Sequence, residues 1–304
     1  MLGSPFRTTF CVLLLCCVAS AAGAAAPDIE FKTTPLGESV SVLQRYECNI
    51  VASAGDDGIV MIDTCDMQVA NKLLAAVQRL SDKPLRFVIN THVHGDHTGA
   101  NAFFQKLAPI IASNNVRKWL VTGNERLLDK PSPPDALPAV TFGGEMTLHL
   151  NGEEIRLLNL PPAHTDGDVV VFFKKANVVA MGDVFMAMGN VSKAPSIPLD
   201  DRWYGGGILR LMETLELLLP QIPIDAKIVP GHGPVSTRAD IVHGLDVMKQ
   251  MQTVIETDVR AGKTLDQLLA ERPFDKFRDS FPTWASSASL DGLIRRLHAE
   301  ISGR

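Results

Sequence analysis

The chain has 304 residues, of which 46% are hydrophobic and 21% are charged, and its formal net charge is −5. This is the composition of a globular protein that is long enough to bury a large core. Because no cluster of Lys and Arg is visible, the basic surface typical of nucleic-acid-binding proteins is missing, and a small molecule is the expected partner.

Residues 1–26 have the pattern of a secretory signal peptide. A single charge, Arg7, precedes an apolar run over residues 10–19, and small residues with possible cleavage sites follow. The apolar run is short for a segment that crosses a bilayer. We therefore expect cleavage, a mature domain over residues 27–304 that has no membrane association, and a periplasmic or secreted location.

Two of the five cysteines, Cys48 and Cys65, lie outside the predicted signal peptide. They flank an apparent hairpin in which "VLQRYECNIVAS" and "IVMIDTC" are joined by the turn "AGDDG". Counting outward from this turn brings the two cysteines close to opposite each other. A disulfide is possible in an oxidising compartment, and two free buried thiols are the alternative.

After the hairpin, apolar β-rich runs alternate with amphipathic helical segments. Helical spacing is seen in Val69, Leu73, Val77 and Leu80, and later in Ile208, Leu211, Leu215 and Leu218. Strands are predicted at "RFVIN", "AVTFG", "MTLHL", "EIRLLNL", "VVVFF", "NVVAM" and "AKIVP". A second helical tract, broken near Pro109, follows the first of these strands. Residues from about 240 to 304 predict a helical C-terminal extension.

This order of elements divides into two halves, each with strands followed by helices. Such a pattern predicts an α/β sandwich in which the sheets lie inside and the helices outside.

The segment "VINTHVHGDHTG" places three histidines and an aspartate within six residues, directly after a predicted buried strand. His92 and His94 are two residues apart, so in an extended backbone both rings point to the same side and can bind one metal ion. Asp96 and His97 belong to the following turn and face a second point nearby. This crowding of ligand-type residues predicts a metal site.

Three further ligand-type residues occupy similar positions at the ends of apolar strands. His164 precedes one strand in "PPAHTDGD", Asp183 follows another in "VVAMGDVF", and His232 follows a third in "IVPGHGP". Each of them has an ordinary explanation as a cap, turn or surface residue. Their repeated placement indicates that they converge on one site.

These motifs, in this order, resemble those of the metallo-β-lactamase superfamily. The segment "VMIDTC" is similar to the family's strand before the first helix, and "THVHGDHTG" is similar to its signature loop. "AHTDGD", "MGDVF" and "PGHGP" are similar to its third, fourth and fifth motifs. The resemblance covers nearly all of the mature chain and implies the four-layer αβ/βα sandwich of that family.

The resemblance also implies a set of seven ligands for two zinc ions. His92, His94 and His164 match the ligands of the first ion; Asp96, His97 and His232 match those of the second; and Asp183 matches the bridge between them. Asp63 resembles the family's aspartate that orients the ligand loop. The implied activity is hydrolysis of an amide, lactam, lactone or related ester bond by a metal-bound hydroxide, with Asp96 orienting the nucleophile or relaying its proton.

Two positions differ from the best-known metallo-β-lactamases. Those enzymes have a cysteine at the position of Asp183 and a lysine three residues later, where this chain has Met186. In the bridging aspartate the chain is closer to hydroxyacylglutathione hydrolases, lactonases and tRNA-processing ribonucleases. Lys193 or Arg202, in the loop after Asp183, is a weak candidate for binding a substrate carboxylate.

Two other functions remain open at this point. One is an oxidoreductase on the same fold that uses a single iron, as sulfur dioxygenases do. The other is a non-catalytic metal-binding protein.

Overall fold

The computed structural model describes residues 30–45, 48–187, 201–280 and 287–303. The predicted signal peptide and Lys193 lie outside the described residues. None of the helices in these ranges is both long and apolar enough to cross a membrane.

The described residues form two β-sheets with helices on their outer faces. The first sheet has the strand order β1-β2-β3-β4-β5-β6-β7, and the second has the order β13-β12-β11-β10-β9-β8. The strands of the first sheet are β1 (Lys32–Pro35), β2 (Val40–Arg45), β3 (Cys48–Gly55), β4 (Gly58–Ile62), β5 (Leu85–Ile89), β6 (Ile110–Ser113) and β7 (Val140–Phe142). Those of the second are β8 (Glu145–Leu150), β9 (Glu153–Asn159), β10 (Val169–Phe173), β11 (Val178–Gly182), β12 (Lys227–Pro230) and β13 (Ser236–Thr237).

The helices lie between and after these strands. They are α1 (Ala70–Gln78), α2 (Gly95–Thr98), α3 (Asn101–Phe104), α4 (Asn114–Thr122), α5 (Ile208–Leu218), α6 (Arg238–Arg260), α7 (Leu265–Glu271) and α8 (Ser287–Ser302). The predicted hairpin is formed by β3 and β4, which pair antiparallel up to Gly55 and Gly58. The other predicted strands and both spaced helices are also present.

The prediction for the chain after β5 was incomplete. The tract expected to be helical with a break near Pro109 contains the helices α2, α3 and α4, but the strand β6 lies at the break and pairs parallel with both β5 and β7. All four residues of β6 are buried. A strand of four residues is too short for its periodicity to be separated from that of the helices around it.

Three of the four apolar clusters among the described residues hold the layers together. Side chains of both sheets meet in a central core that includes Val51, Ile89 and Val171. On the outer face of the first sheet, α1 and α3 bury Leu73 and Phe104. On the outer face of the second sheet, α5, α6 and α8 contribute a larger core. The order helix, sheet, sheet, helix is therefore the predicted αβ/βα sandwich.

The carboxyl ends of the parallel strands of both sheets lie at the same end of the molecule. In the first sheet β4, β5 and β6 are parallel, and in the second β11 and β12 are parallel. The backbone N–H of Asn49 in β3 donates to the carbonyl of Gly231 after β12 at 3.0 Å, which joins the sheets at this end. Loops that leave the carboxyl ends of these strands can therefore face one another.

Candidate metal centre

Four ligand-type residues lie in the loop that follows β5. The chain leaves the sheet at Asn90, and α2 begins at Gly95 after an extended backbone at His94. The hydroxyl of Thr98 donates to the carbonyls of Val93 and His94 at 3.1 and 3.0 Å. These bonds close the turn and fix the direction of the histidine side chains.

One group of ligand-type side chains consists of three histidines and one aspartate. The Nε2 atoms of His92 and His164 each lie 3.1 Å from Nδ1 of His94. Asp183 Oδ2 lies 3.8 Å from His92 Nε2 and 3.6 Å from His164 Nε2. Zinc–nitrogen bonds of about 2.0 Å place the ligands of a tetrahedral ion roughly 3.3 Å apart, so this group is suited to one ion.

A second group consists of Asp96, His97 and His232. Asp96 Oδ2 lies 3.1 Å from His232 Nε2 and 3.5 Å from His97 Nε2. The two Nε2 atoms of this group are 3.4 Å apart. Asp183 reaches this group as well, with Oδ1 3.3 Å from His97 Nε2 and Oδ2 3.4 Å from His232 Nε2. Its carboxylate therefore stands between the two groups.

The position of Asp183 depends on close packing between the ends of β11 and β12. The backbone N–H of Gly231 donates to the carbonyl of Gly182 at 2.7 Å. A Cβ atom added to Gly231 would lie 1.9 Å from Asp183 Oδ1. Only glycine at position 231 leaves room for the carboxylate.

The residues present fit a metal centre. Asp183 is only 6% exposed, and among the described residues its Oδ1 accepts no hydrogen bond of good geometry, although His97 Nε2 lies 3.3 Å away. Burying a carboxylate oxygen without a partner is costly, and a cation at this point offsets the cost. Imidazole nitrogens combined with carboxylates form a donor set that suits zinc and other transition-metal ions such as iron.

Without a metal ion, these groups shift one another's pKa values strongly. Burial lowers the pKa of His92 well below its ordinary value. Burial opposes ionisation of Asp183, but His97 and His92 outweigh it and hold the pKa of this carboxyl well below its usual range. The pKa of His97 is raised well above its usual range, because Asp183 and Asp63 outweigh its burial. Burial also opposes the charge on His232, yet hydrogen bonds to two carboxylates raise its pKa to about 10.

Two carboxylates orient the histidine rings from behind. Asp63 Oδ2 lies 2.8 Å from His97 Nδ1, which leaves Nε2 of that ring directed to the second group. Asp201 Oδ2 lies 2.9 Å from His94 Nε2, which leaves Nδ1 of that ring directed to the first group. Such partners fix the tautomer of a ligand histidine and raise its basicity.

Sequence reasoning singled out Asp63 but missed Asp201. Asp201 follows no predicted strand, so its position in the sequence does not predict a role at the metal site. For its neighbour Arg202 the sequence suggested only substrate binding. The backbone N–H of Asp201 donates to the carbonyl of His164 at 2.7 Å, which brings the carboxylate close to the first group. A contact between residues so far apart in the chain leaves no local signal.

The structure describes only one of the two candidates for binding a substrate carboxylate. Lys193 lies outside the described residues. Arg202 is exposed, and its guanidinium carbon lies 4.5 Å from the ring centroid of Trp203. The cavity that it lines with Arg210 and Arg296 includes none of the seven ligand-type residues.

Cys48 and Cys65 form a disulfide in the structure. The backbone of Cys48 also pairs with His232 in an isolated antiparallel bridge, and the carbonyl of Cys65 accepts the N–H of Ala100 at 3.0 Å. The disulfide therefore connects the segment beside His232 with the segment that carries Asp63.

Comparison with known proteins gives one family. The family model described as the metallo-beta-lactamase superfamily matches residues 44–235. A protein named as a probable metallo-hydrolase from Methanocaldococcus jannaschii is 26% identical over 191 residues, which cover 59% of this chain and 84% of that protein. A metallo-beta-lactamase from Chryseobacterium indologenes is 23% identical over 201 residues, which cover 58% of this chain and 80% of that enzyme.

Solved structures have the same fold. A metallo-beta-lactamase from Pontibacter korlensis superposes with a TM-score of 0.61 at 19% identity, over 72% of this chain and 99% of that one. At this identity the likeness concerns the fold alone.

Proposed function

Since the chain belongs to the metallo-β-lactamase superfamily, we propose that it is an exported hydrolase that holds two zinc ions and cleaves an amide, lactam, lactone or related ester bond. His92, His94 and His164 would hold one ion, and Asp96, His97 and His232 the other. Asp183 would contact both.

The placement of Asp183 carries this proposal. Its two carboxylate oxygens lie 3.3 to 3.8 Å from Nε2 atoms of both groups. Two cations held a few ångströms apart repel each other, and a shared carboxylate reduces this repulsion. A binding protein for a single ion needs only one of the two groups.

Bound zinc would supply Lewis-acid polarisation of the scissile carbonyl and would acidify water near neutral pH. Asp96 is the residue of the chain best placed to handle the nucleophile. Burial opposes its charge, but the hydrogen bond from His232 outweighs this effect and lowers its pKa to about 2. As a carboxylate with a side chain 44% exposed, Asp96 can accept a hydrogen bond from the attacking water and orient it towards the scissile carbonyl.

The proposal of export has two supports. The signal-peptide pattern of residues 1–26 is one of them. The other is the disulfide between Cys48 and Cys65, because structural disulfides persist in oxidising compartments. N-terminal sequencing of native protein tests this part: a start near residue 27 in a periplasmic or secreted fraction is expected, and a start at Met1 in a cytosolic fraction would contradict it.

The test of activity combines metal analysis with a substrate panel. Purified mature protein should contain close to two equivalents of zinc and should hydrolyse at least one member of a panel of lactams, lactones and thioesters. If the protein contains a single tightly bound iron and consumes oxygen during turnover, it is an oxidoreductase and the hydrolase assignment is wrong. Bound zinc with no hydrolysis anywhere in the panel would favour a binding protein.

A further inference from the structure

A cavity of about 280 Å³ reaches the candidate metal centre at one of its seven ligand-type residues, His94. It is bordered by the ring of His94 and by Val93 and Gly95 of the same loop, and its walls include Trp119 of α4 and Tyr204. Three other cavities of similar volume among the described residues are lined by none of the seven ligand-type residues. The cavity beside His94 is therefore placed to hold part of a molecule that reacts at the metal centre.

The aromatic walls of this cavity are fixed by hydrogen bonds at their polar ends. The indole N–H of Trp119 donates to Asp166 Oδ1 at 2.7 Å. The hydroxyl of Tyr204 donates to the carboxylate of Asp129. The Tyr204 ring stands edge-on to the rings of Trp119 and His94, with centroids 5.2 and 5.5 Å away. Because these polar atoms are already hydrogen-bonded, Trp119 and Tyr204 offer mainly ring carbons to a molecule in the cavity.

The remaining lining adds apolar surface and leaves the space beside the ligand loop open. Leu120, Pro133 and Ala136 contribute aliphatic carbons, Thr98 and Ser132 contribute polar groups, and the charged side chains at the border are the exposed Asp129 and Lys130. A Cβ atom added to Gly95 would meet no atom within 4 Å. The volume is close to the lower end of the range for small-molecule sites, which suits one ring with its linking atoms.

We propose that this cavity receives an apolar substituent of the substrate, about the size of a phenyl ring, that is attached next to the bond to be cleaved. The proposal rests on the proposed hydrolase function, because it takes the metal centre as the position of the reacting carbonyl. It narrows the substrate class to lactams, lactones or esters that carry an aromatic or branched apolar group.

Binding of two hydroxamic acids to the zinc-loaded protein tests this proposal. Acetohydroxamic acid and phenylacetohydroxamic acid share the same zinc-binding group and differ only in the phenyl ring. We expect the phenyl compound to bind at least tenfold more tightly by titration calorimetry, because the ring would leave water and pack against the rings of Trp119 and Tyr204 and the aliphatic carbons beside them. Zinc content is measured after each titration to exclude removal of the metal.

Two variants change the cavity without changing a ligand. Ala102 lines the cavity and is half-buried on α3, so Ala102→Phe should fill the space. Trp119→Ala should remove one wall. In both variants the preference for the phenyl compound should fall below threefold while acetohydroxamic acid binds as before. Ala75→Phe, at an exposed position on α1, is the matched control and should keep the full preference.

Equal affinities of the wild-type protein for the two compounds would overturn the proposal, as would a preference that survives in both cavity variants. These readouts do not depend on turnover. A protein that prefers the phenyl compound but hydrolyses nothing in the panel would contradict the hydrolase function and keep the cavity assignment. A protein that hydrolyses a member of the panel but binds both compounds equally would support the hydrolase function and contradict the cavity assignment.

Discussion

Asp63 Oδ2 lies 2.8 Å from His97 Nδ1, and Asp63 holds this position with a backbone φ of +66°. Its Oδ1 accepts the backbone N–H of Thr91 at 2.7 Å, so the same carboxylate fixes both the start of the ligand loop and one of its rings. Few residues other than Gly, Asn and Asp adopt a positive φ easily. Position 63 therefore requires a residue that tolerates a positive φ and that also carries a negative charge.

Asp63→Asn separates these two requirements, because asparagine tolerates the backbone conformation but has no negative charge. We expect the fold to be kept and the affinity of the second group for zinc to fall by about 10- to 100-fold. Competition with a fluorescent chelator measures this affinity. Asp201→Asn is the matched variant, and it should weaken the first group instead because Asp201 contacts His94. Unchanged affinities in both variants would show that neither carboxylate orients a ligand.

Asp183→Asn tests the shared carboxylate. The amide cannot supply the negative charge that lets two cations sit close together, so the variant should keep its fold and retain about one zinc ion. Hydrolysis of the best panel substrate should fall by about 100-fold or more. His149→Ala is the control, since His149 is exposed on β8. Full metal content and wild-type rates in Asp183→Asn would contradict the assignment of the bridge.

Gly231→Ala tests the close packing around Asp183. The added methyl group would lie 1.9 Å from Asp183 Oδ1, so the carboxylate or the loop after β12 must move. Zinc content, measured by elemental analysis, should fall towards one equivalent or less. Gly292→Ala on α8 meets no atom within 4 Å and should keep both zinc and stability. Normal zinc content in Gly231→Ala would mean that the carboxylate has another position in the metal-bound protein.

Zinc binding should release protons near neutral pH. Without metal, the hydrogen bonds that His232 donates to Asp183 and Asp96 outweigh burial and raise the pKa of His232 to about 10, and the pKa of His97 is also raised. Both rings are then protonated at pH 7 and must lose a proton to bind metal, whereas burial lowers the pKa of His92 and keeps it neutral. Affinity of the second group should therefore rise with pH up to about 10, by as much as tenfold per unit for each proton released.

Calorimetry in two buffers of different ionisation enthalpy counts these protons. One to two protons should be released with the zinc ion that enters the second group, and His232→Ala should release one fewer. If no protons are released at pH 7, the two rings are neutral before the metal binds.

The disulfide should contribute to stability. Cys48 and Cys65 are 17 residues apart, and closing a loop of this length in the unfolded chain stabilises the native state by about 3 kcal/mol. The double variant Cys48→Ala/Cys65→Ala should lose a free energy of unfolding of this order in urea titrations. The wild-type protein treated with a reductant should behave like the variant. Equal stability of oxidised and reduced protein would indicate two thiols rather than a disulfide.

The layered architecture and the positions of the seven ligand-type residues could be predicted from the amino-acid sequence. Apolar runs of strand length end at Asn90 and shortly before Asp183 and His232. The carboxyl ends of parallel strands lie together at one edge of a sheet. Five motifs in family order then indicated which side chains face the metal centre. These features depend on residues close together in the chain, which is why they could be recognised without coordinates.

How those side chains meet could not be predicted in the same way. The contact between His94 and Asp201, the room that Gly231 leaves for Asp183, and the cavity between Trp119 and Tyr204 all join segments far apart in the chain. Such contacts depend on how the two sheets and their loops pack, and packing produces no periodic pattern along the sequence. The same reason explains the strand β6, whose four residues are β-structured because β5 and β7 lie on either side of them.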